Sequence, residues 1–155
     1  GEVWHGLTKR VCLIGESHYV SPPDEDSEHL THDIIKDIRD GRRRLPFYTK
    51  AAAIVGDLLD KSREKPFWDR VAFFNFIPTS VGRESTAVPS REMWEAGARH
   101  FIPRLIALQP THVLSLGQRQ WNHITFPVGW RSLPDARNSD IRLWEGPAGQ
   151  RCIAT

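Results

Sequence analysis

Directly after the apolar run Val11–Ile14 the chain places Gly15, Glu16, Ser17, His18 and Tyr19 in succession. A glycine is followed by a carboxylate, a hydroxyl, an imidazole and a phenol. A glutamate or histidine there can orient or deprotonate a water. A serine can attack an acyl carbon if a base stands beside it. Backbone amides following Gly15 can hold an anion. A second polar residue, Asn75, lies in the run "RVAFFNFIP" at residues 70–78, which Pro78 closes. Its amide carries both a donor and an acceptor, so it can read a ligand edge or satisfy nearby backbone groups. Cations gather in "RDGRRR", Arg39 to Arg44, as a solvated face or a phosphate site. Glu16 and His18 can equally pair with each other or with helix ends, and Phe47 and Tyr19 can equally be packing residues. His100, His112 and His123 are assigned no role.

These residues need elements to position them. "RVCLIG" at 10–15 reads as a buried strand ending in glycine. Leu30, Ile34 and Ile38 form a helical stripe over 27–40, with Gly41 as its stop. Thr49 is expected to cap a helix whose face carries Ala51, Ile54, Val55, Leu58 and Leu59. A strand follows at 70–78. Ser90 is expected to cap the next helix, with Trp94, Ala98, Phe101, Ile102, Leu105 and Ile106 on its apolar face. Pro103 is expected to kink or divide it, because proline removes an amide donor and crowds the preceding turn. A third strand lies in "THVLSLG" at 111–117, a short helix begins in "QRQWNHI", and "DIRLWEGPAGQRCIAT" reads as two strands around a Gly-Pro-Ala-Gly turn.

This alternation implies an α/β fold: a three-layer α/β/α sandwich with a mainly parallel, four-stranded central sheet. Ligands of such sheets collect outside the carboxyl ends of the strands. Those ends carry Gly15 to Tyr19, then Asn75, then Gly117 and Gln118, and finally Thr155.

Residues 1–155 are expected to form one domain, enough chain to bury a core. Hydrophobic residues make up 39% and charged residues 26%, which suits a globular protein. No apolar run is long enough for a bilayer, so no membrane partner is expected. A net charge of +2 does not by itself announce a nucleic-acid binder. Cys12 and Cys152, both in apolar strands, read as reduced thiols of a cytoplasmic protein. Two cysteines are too few for a zinc or iron–sulfur site of their own, and no metal or cofactor is expected. Gly1 in place of an initiator methionine suggests a trimmed start. "RCIAT" suggests a strand cut short, so the C-terminus is expected to be truncated.

The order and spacing of the motifs resemble the uracil-DNA glycosylase superfamily. "GESHY" occupies the place of that family's first-strand motif, its Gly-Glu start being similar to the thermostable bacterial branch. "LPFYTKAAAIVGDLLDK" at 45–61 resembles that branch's Pro-Phe followed by a small-residue helix ending in Leu-Leu. "VAFFNFIP" supplies Asn75 at the strand-end asparagine, and "LIALQPTHVLSLGQRQW" at 105–121 resembles the family's helix, Pro, strand, Gly, helix stretch. The resemblance covers most of residues 10–121. It implies a protein that binds a nucleobase flipped out of single- or double-stranded DNA and hydrolyses its N-glycosidic bond in base-excision repair. It implies Glu16, Ser17 and His18 as the catalytic candidates and Gly15, Tyr19, Phe47 and Asn75 as base-binding, with Phe47 stacking on the base. Arg42, Arg43, Arg44 and Lys50 would bind phosphates, and the protein would act as a monomer. Ser17 stands where the main branch has an aspartate, and His18 where it has a proline. The branch's iron–sulfur cysteines are absent, and the family's His-Pro-Ser motif would begin just past Thr155.

Two other readings stay open. "GES" is also similar to the Gly-Asp-Ser turn of an esterase group, with Ser17 as nucleophile and Asn75 helping an oxyanion hole, although no Asp-x-x-His closes the chain and Asp135 and Asp140 have no histidine nearby. The fold can also serve as a non-catalytic nucleic-acid or nucleotide module, with Arg42, Arg43, Arg44, Lys50 and Arg83 contacting phosphates.

Overall fold

The computed structural model describes residues 6, 8–19, 29–56, 67–82, 84, 86–133, 142–147 and 149–154. Along the chain the elements are β1 (Val11–Gly15), β2 (His18–Tyr19), α1 (Leu30–Arg39), α2 (Pro46–Gly56), β3 (Val71–Asn75), β4 (Ser80–Gly82), α3 (Arg91–Leu108), β5 (His112–Ser115), β6 (Arg131–Leu133), β7 (Arg142–Glu145) and β8 (Arg151–Ala154). Single 3₁₀ turns lie at Phe67–Asp69 and Gln120–His123.

The fold is α/β, with a mixed, mostly parallel main sheet of six strands in the order β3-β1-β5-β8-β7-β6. The first four run parallel, and β7 and β6 are antiparallel additions. The expected four strands are therefore corrected to six. The hairpin β7–β8 was legible, since Gly146 N–H bonds the Gln150 carbonyl at 2.8 Å and Gly149 takes a positive φ of 76°. β6 is three residues long and carries no alternating pattern, so nothing local announces it. β2 and β4 make a separate two-stranded parallel sheet.

β1 is buried along its whole length and paired on both sides, which is why four successive apolar residues suit it. Its alternate side chains enter different clusters, as the pleat requires. Cys12 and Ile14 pack with Phe74, Val113 and Cys152 and with Trp94, Phe101 and Leu105 of α3. Val11 and Leu13 pack with Val55 of α2 and with Phe67, Trp68, Phe73 and Leu114. The chain leaves β1 for β3 on one side, then passes to β5 on the other. The reversal sets a crevice at the carboxyl end of β1.

The helices depart from expectation in four places. α2 begins at Pro46, not at a Thr49 cap. Proline at the first helical position has no amide to waste, and its φ is already helical. Thr49 instead sits in the first turn, its N–H and Oγ1 both donating to the Leu45 carbonyl at 3.0 and 3.1 Å. The buried face of α2 is Tyr48, Ala51 and Val55, while Ile54 is 68% exposed. Leu58 and Leu59 lie outside the described residues. α3 starts as expected, with Ser90 Oγ accepting from Met93 N–H at 3.3 Å, and then runs undivided through Pro103 to Leu108. Its buried residues are Trp94, Gly97, Phe101 and Leu105; Ala98 and Ile106 face outward. Gly97 is required by contact, because a Cβ there would lie 2.7 Å from the Phe76 carbonyl oxygen.

Cys12 and Cys152 are buried free thiols. Both are in register with Val113, on β1 and β8 either side of β5. Two strand spacings, about 9.5 Å, exceed the span of a disulfide. Burial pushes the Cys152 thiol up to about 12 and the Cys12 thiol higher still, with Cys152 adding to the Cys12 shift. Among the described residues no helix is long and apolar enough to cross a membrane.

Candidate functional site

The carboxyl ends of β1, β3 and β5 are held in line by backbone bonds that continue past the strands. Phe76 and Ile77 N–H donate to the Gly15 and Glu16 carbonyls at 2.9 Å, and Leu116 N–H donates to the Ile14 carbonyl at 2.8 Å. Gly15 and Asn75 are register partners. The Asn75 side chain folds over Gly15: a Cβ on residue 15 would collide with Asn75 Oδ1 and lie 3.1 Å from Phe73 Cζ. Gly15 is thus a steric requirement of the Asn75 position. Asn75 is 3% exposed. Its carbonyl accepts from Arg104 Nη1 at 3.3 Å, and the Arg104 guanidinium lies 5.3 Å from the centre of the Phe74 ring.

Beside Asn75 a cavity of about 320 Å³ opens between Thr31, His32 and Ile35 of α1 and Phe73 of β3, with Arg104 on its wall. Such a volume lies at the small end of the range for ligand sites, about 300–1,000 Å³. His18 is buried, and its Nε2 lies 2.6 Å from Thr31 Oγ1. The imidazole therefore ties the strand end to the first turn of α1.

Glu16 turns the other way, toward β5. Arg119 grips it with two bonds, Nε to Oε2 at 2.8 Å and Nη2 to Oε1 at 2.7 Å. Tyr19 Oη donates to Glu16 Oε1 at 3.1 Å and accepts from Arg119 Nη2 at 3.3 Å. The Glu16 side chain keeps 14% exposure, against 47% for Arg119. A bidentate grip of this kind holds the carboxylate in one orientation. Behind it, the fully buried Gln120 donates from Nε2 to Ser115 Oγ at 3.2 Å. It packs over Gly117, whose φ of 136° favours glycine and where a Cβ would lie 2.9 Å from Gln120 Oε1.

Among the described residues, three buried side-chain polar atoms have no hydrogen-bond partner: Ser17 Oγ, Asn75 Nδ2 and Gln120 Oε1. All three stand at the same end of the sheet, at or just past β1, β3 and β5, which are neighbours. Each costs about 1–3 kcal/mol if nothing satisfies it. A polar ligand that reached any of them would supply the missing hydrogen bond.

The residues read from sequence thus divide into groups. Gly15 and Asn75 come together. Glu16 and Tyr19 form a cluster with Arg119. His18 faces α1, and among the described residues the Ser17 hydroxyl is buried without a partner and no imidazole bonds to it as an esterase nucleophile requires. Phe47 is 43% exposed and does not line the Asn75 cavity. It meets Phe73 edge-on at 6.2 Å, and Phe73 lines the cavity in its place. Arg42 is bound to Asp37 at 2.8 Å and to Asp40 at 2.7 Å, whereas Arg43, Arg44 and Lys50 are exposed and have no carboxylate partner among the described residues. Arg83 lies outside the described residues, as do Asp135 and Asp140. Among the described residues no three His, Cys, Asp or Glu side chains gather as metal ligands.

Phe73, Arg104, Arg119 and Gln120 escaped the sequence reading. Phe73 had a signal, since it stands two residues before Asn75 and so shares its face. Arg119 had none, because its partner lies 103 residues away. Comparisons with family models, with curated proteins and with solved structures each find no match.

Proposed function

We propose that the chain is a uracil-DNA glycosylase-like domain that binds a nucleobase extruded from DNA at the carboxyl ends of β1, β3 and β5. The observation that carries this reading is that Ser17 Oγ, Asn75 Nδ2 and Gln120 Oε1, buried without partners among the described residues, belong to residues at or just past the carboxyl ends of three adjacent strands. On this reading the parallel strands β3-β1-β5-β8, with α2 and α3 drawn from separate clusters, form the core of a three-layer sandwich.

Asn75 is the edge reader. Its Nδ2 donates to a base carbonyl, and its Oδ1 accepts from a ring N–H; cytosine offers the opposite pattern. Gly15 makes room for that amide, and Phe73 supplies an apolar ring beside it. A mispaired edge costs about 1–3 kcal/mol for each unmet buried group. Enclosure of an extruded base is also what DNA glycosylases require of a site.

Hydrolysis breaks the bond from the sugar C1′ to the base nitrogen. Water supplies the new C1′ oxygen, the base leaves with the bonding electron pair, and the proton that the water gives up ends on the departing base. Asn75 and the backbone amides after Gly15 would stabilise the departing base anion. Ser17 stands at the water-positioning place. Its hydroxyl can orient a water but is a poor proton acceptor, and Glu16 is committed to Arg119. Turnover is therefore expected to be slow, and single-turnover conditions are the proper readout.

The test is incubation with single- and double-stranded DNA carrying uracil, hypoxanthine or xanthine, scored for abasic sites and for binding. The expected result is lesion-dependent binding that Asn75→Ala abolishes, with slow formation of abasic sites. Lesion-dependent binding without cleavage would make the domain a non-catalytic module. Neither binding nor cleavage would end the reading.

A further inference from the structure

We infer that the exposed face of α2 is a platform for single-stranded DNA, on which Phe47 stacks an unpaired base beside the extruded one. This rests on the reading above and adds the form of nucleic acid that the protein takes.

Phe47 does not line the Asn75 cavity, where Phe73 stands. Phe47 is 43% exposed, whereas the other described aromatic residues are buried or half-buried. Two edge contacts fix it, at 5.2 Å to Tyr48 and 6.2 Å to Phe73. A ring already held pays little ordering entropy when a base stacks on it. Lys50 and Ile54 follow at three and seven residues, so they lie along the same exposed face. Arg43 and Arg44 stand just before the helix.

The charges separate by partner. Arg39 is bound to Asp40 and Asp69, and Arg42 to Asp37 and Asp40. Arg43, Arg44 and Lys50 have no carboxylate partner among the described residues, and they are the cations that flank the exposed ring. An exposed aromatic beside exposed cations matches unpaired bases with their phosphates on either side. A duplex keeps its base faces stacked inside and cannot use Phe47 in this way. An apolar protein partner would leave the three cations unmatched.

The test uses uracil-free oligothymidylate and a duplex of equal length, in fluorescence anisotropy at several salt concentrations. The single strand should bind at least about tenfold tighter than the duplex. Phe47→Leu keeps the apolar volume and removes the π face, so it should weaken single-strand binding by about 5- to 100-fold. Phe47→Trp should retain it. Arg43→Gln, Arg44→Gln and Lys50→Gln should each flatten the log–log salt slope by about 0.7. Equal binding of duplex, or full affinity in Phe47→Leu, overturns the platform. If oligothymidylate fails to bind while uracil-dependent binding persists, the platform falls and the base-reading proposal stands. If no DNA binds at all, both fall.

Discussion

Replacing Gly15 by alanine tests the central geometry, because the new methyl enters the space of one particular atom. Its Cβ would collide with Asn75 Oδ1 and lie 3.1 Å from Phe73 Cζ. Overpacking of this kind costs about 1–3 kcal/mol. The loss of unfolded-state entropy on Gly→Ala offsets only about 0.4–1 kcal/mol. Gly15→Ala should therefore destabilise by about 1–2 kcal/mol net and displace the Asn75 amide. Asn75→Ala alone should cost little. It removes a buried Nδ2 that bonds to nothing, worth about 1–3 kcal/mol, against the packing lost with the amide. In the double variant the main obstacle is gone and only the Phe73 contact must yield by a few tenths of an ångström. The penalty of Gly15→Ala should then shrink by at least about 1 kcal/mol, beyond the additivity error of about 0.5 kcal/mol. Urea unfolding of the four proteins, with matched slopes, measures the cycle. Simple additivity would show that Asn75 does not occupy the space above Gly15, and the base-reading geometry would be lost with it. Ligand binding should vanish in both single variants, although only one of them is much destabilised.

Other consequences are open to direct measurement. Pro103 lies in mid-helix with its side chain outward, so Pro103→Ala restores a helical amide and should raise stability by about 1–3 kcal/mol, read as a higher urea midpoint; a drop would show that the ring makes a needed contact. Burial, with Lys9 and Arg151 adding to it, lowers the His112 pKa below 6.5. The unfolded chain then takes up the proton first, so stability is complete above that value and falls as pH drops through the native pKa. His112→Gln should flatten the fall of the urea midpoint as pH drops below about 6.5, and an unchanged pH profile would refute the assignment. Cys12 and Cys152 should resist a thiol reagent at pH 8 and both react in denaturant, since burial raises both thiols; rapid labelling of the native protein would contradict their burial. Glu16→Gln should weaken the grip of Arg119 and cost about 1–2 kcal/mol, with thermal melting as the readout.

The sequence by itself determined what depends on neighbours in the chain. The apolar runs at 10–15 and 70–78 read directly as strands, the second three residues longer than β3 at its carboxyl end, Ser90 as a cap, and the Gly-Pro-Ala-Gly segment as a hairpin turn, because periodicity, capping and turn chemistry act over a few residues. It also placed polar side chains at the strand ends, since an alternating α/β chain sends successive strands the same way. Tertiary structure decided what depends on distant partners. It turned Glu16 to Arg119 and His18 to Thr31, set Asn75 across Gly15, put Phe73 in the cavity and left Phe47 outside. It also let β6 and β7 extend the sheet. Local pattern says which residues are able to face a site. Strand register and packing, settled between residues as much as 103 positions apart, determine which ones do.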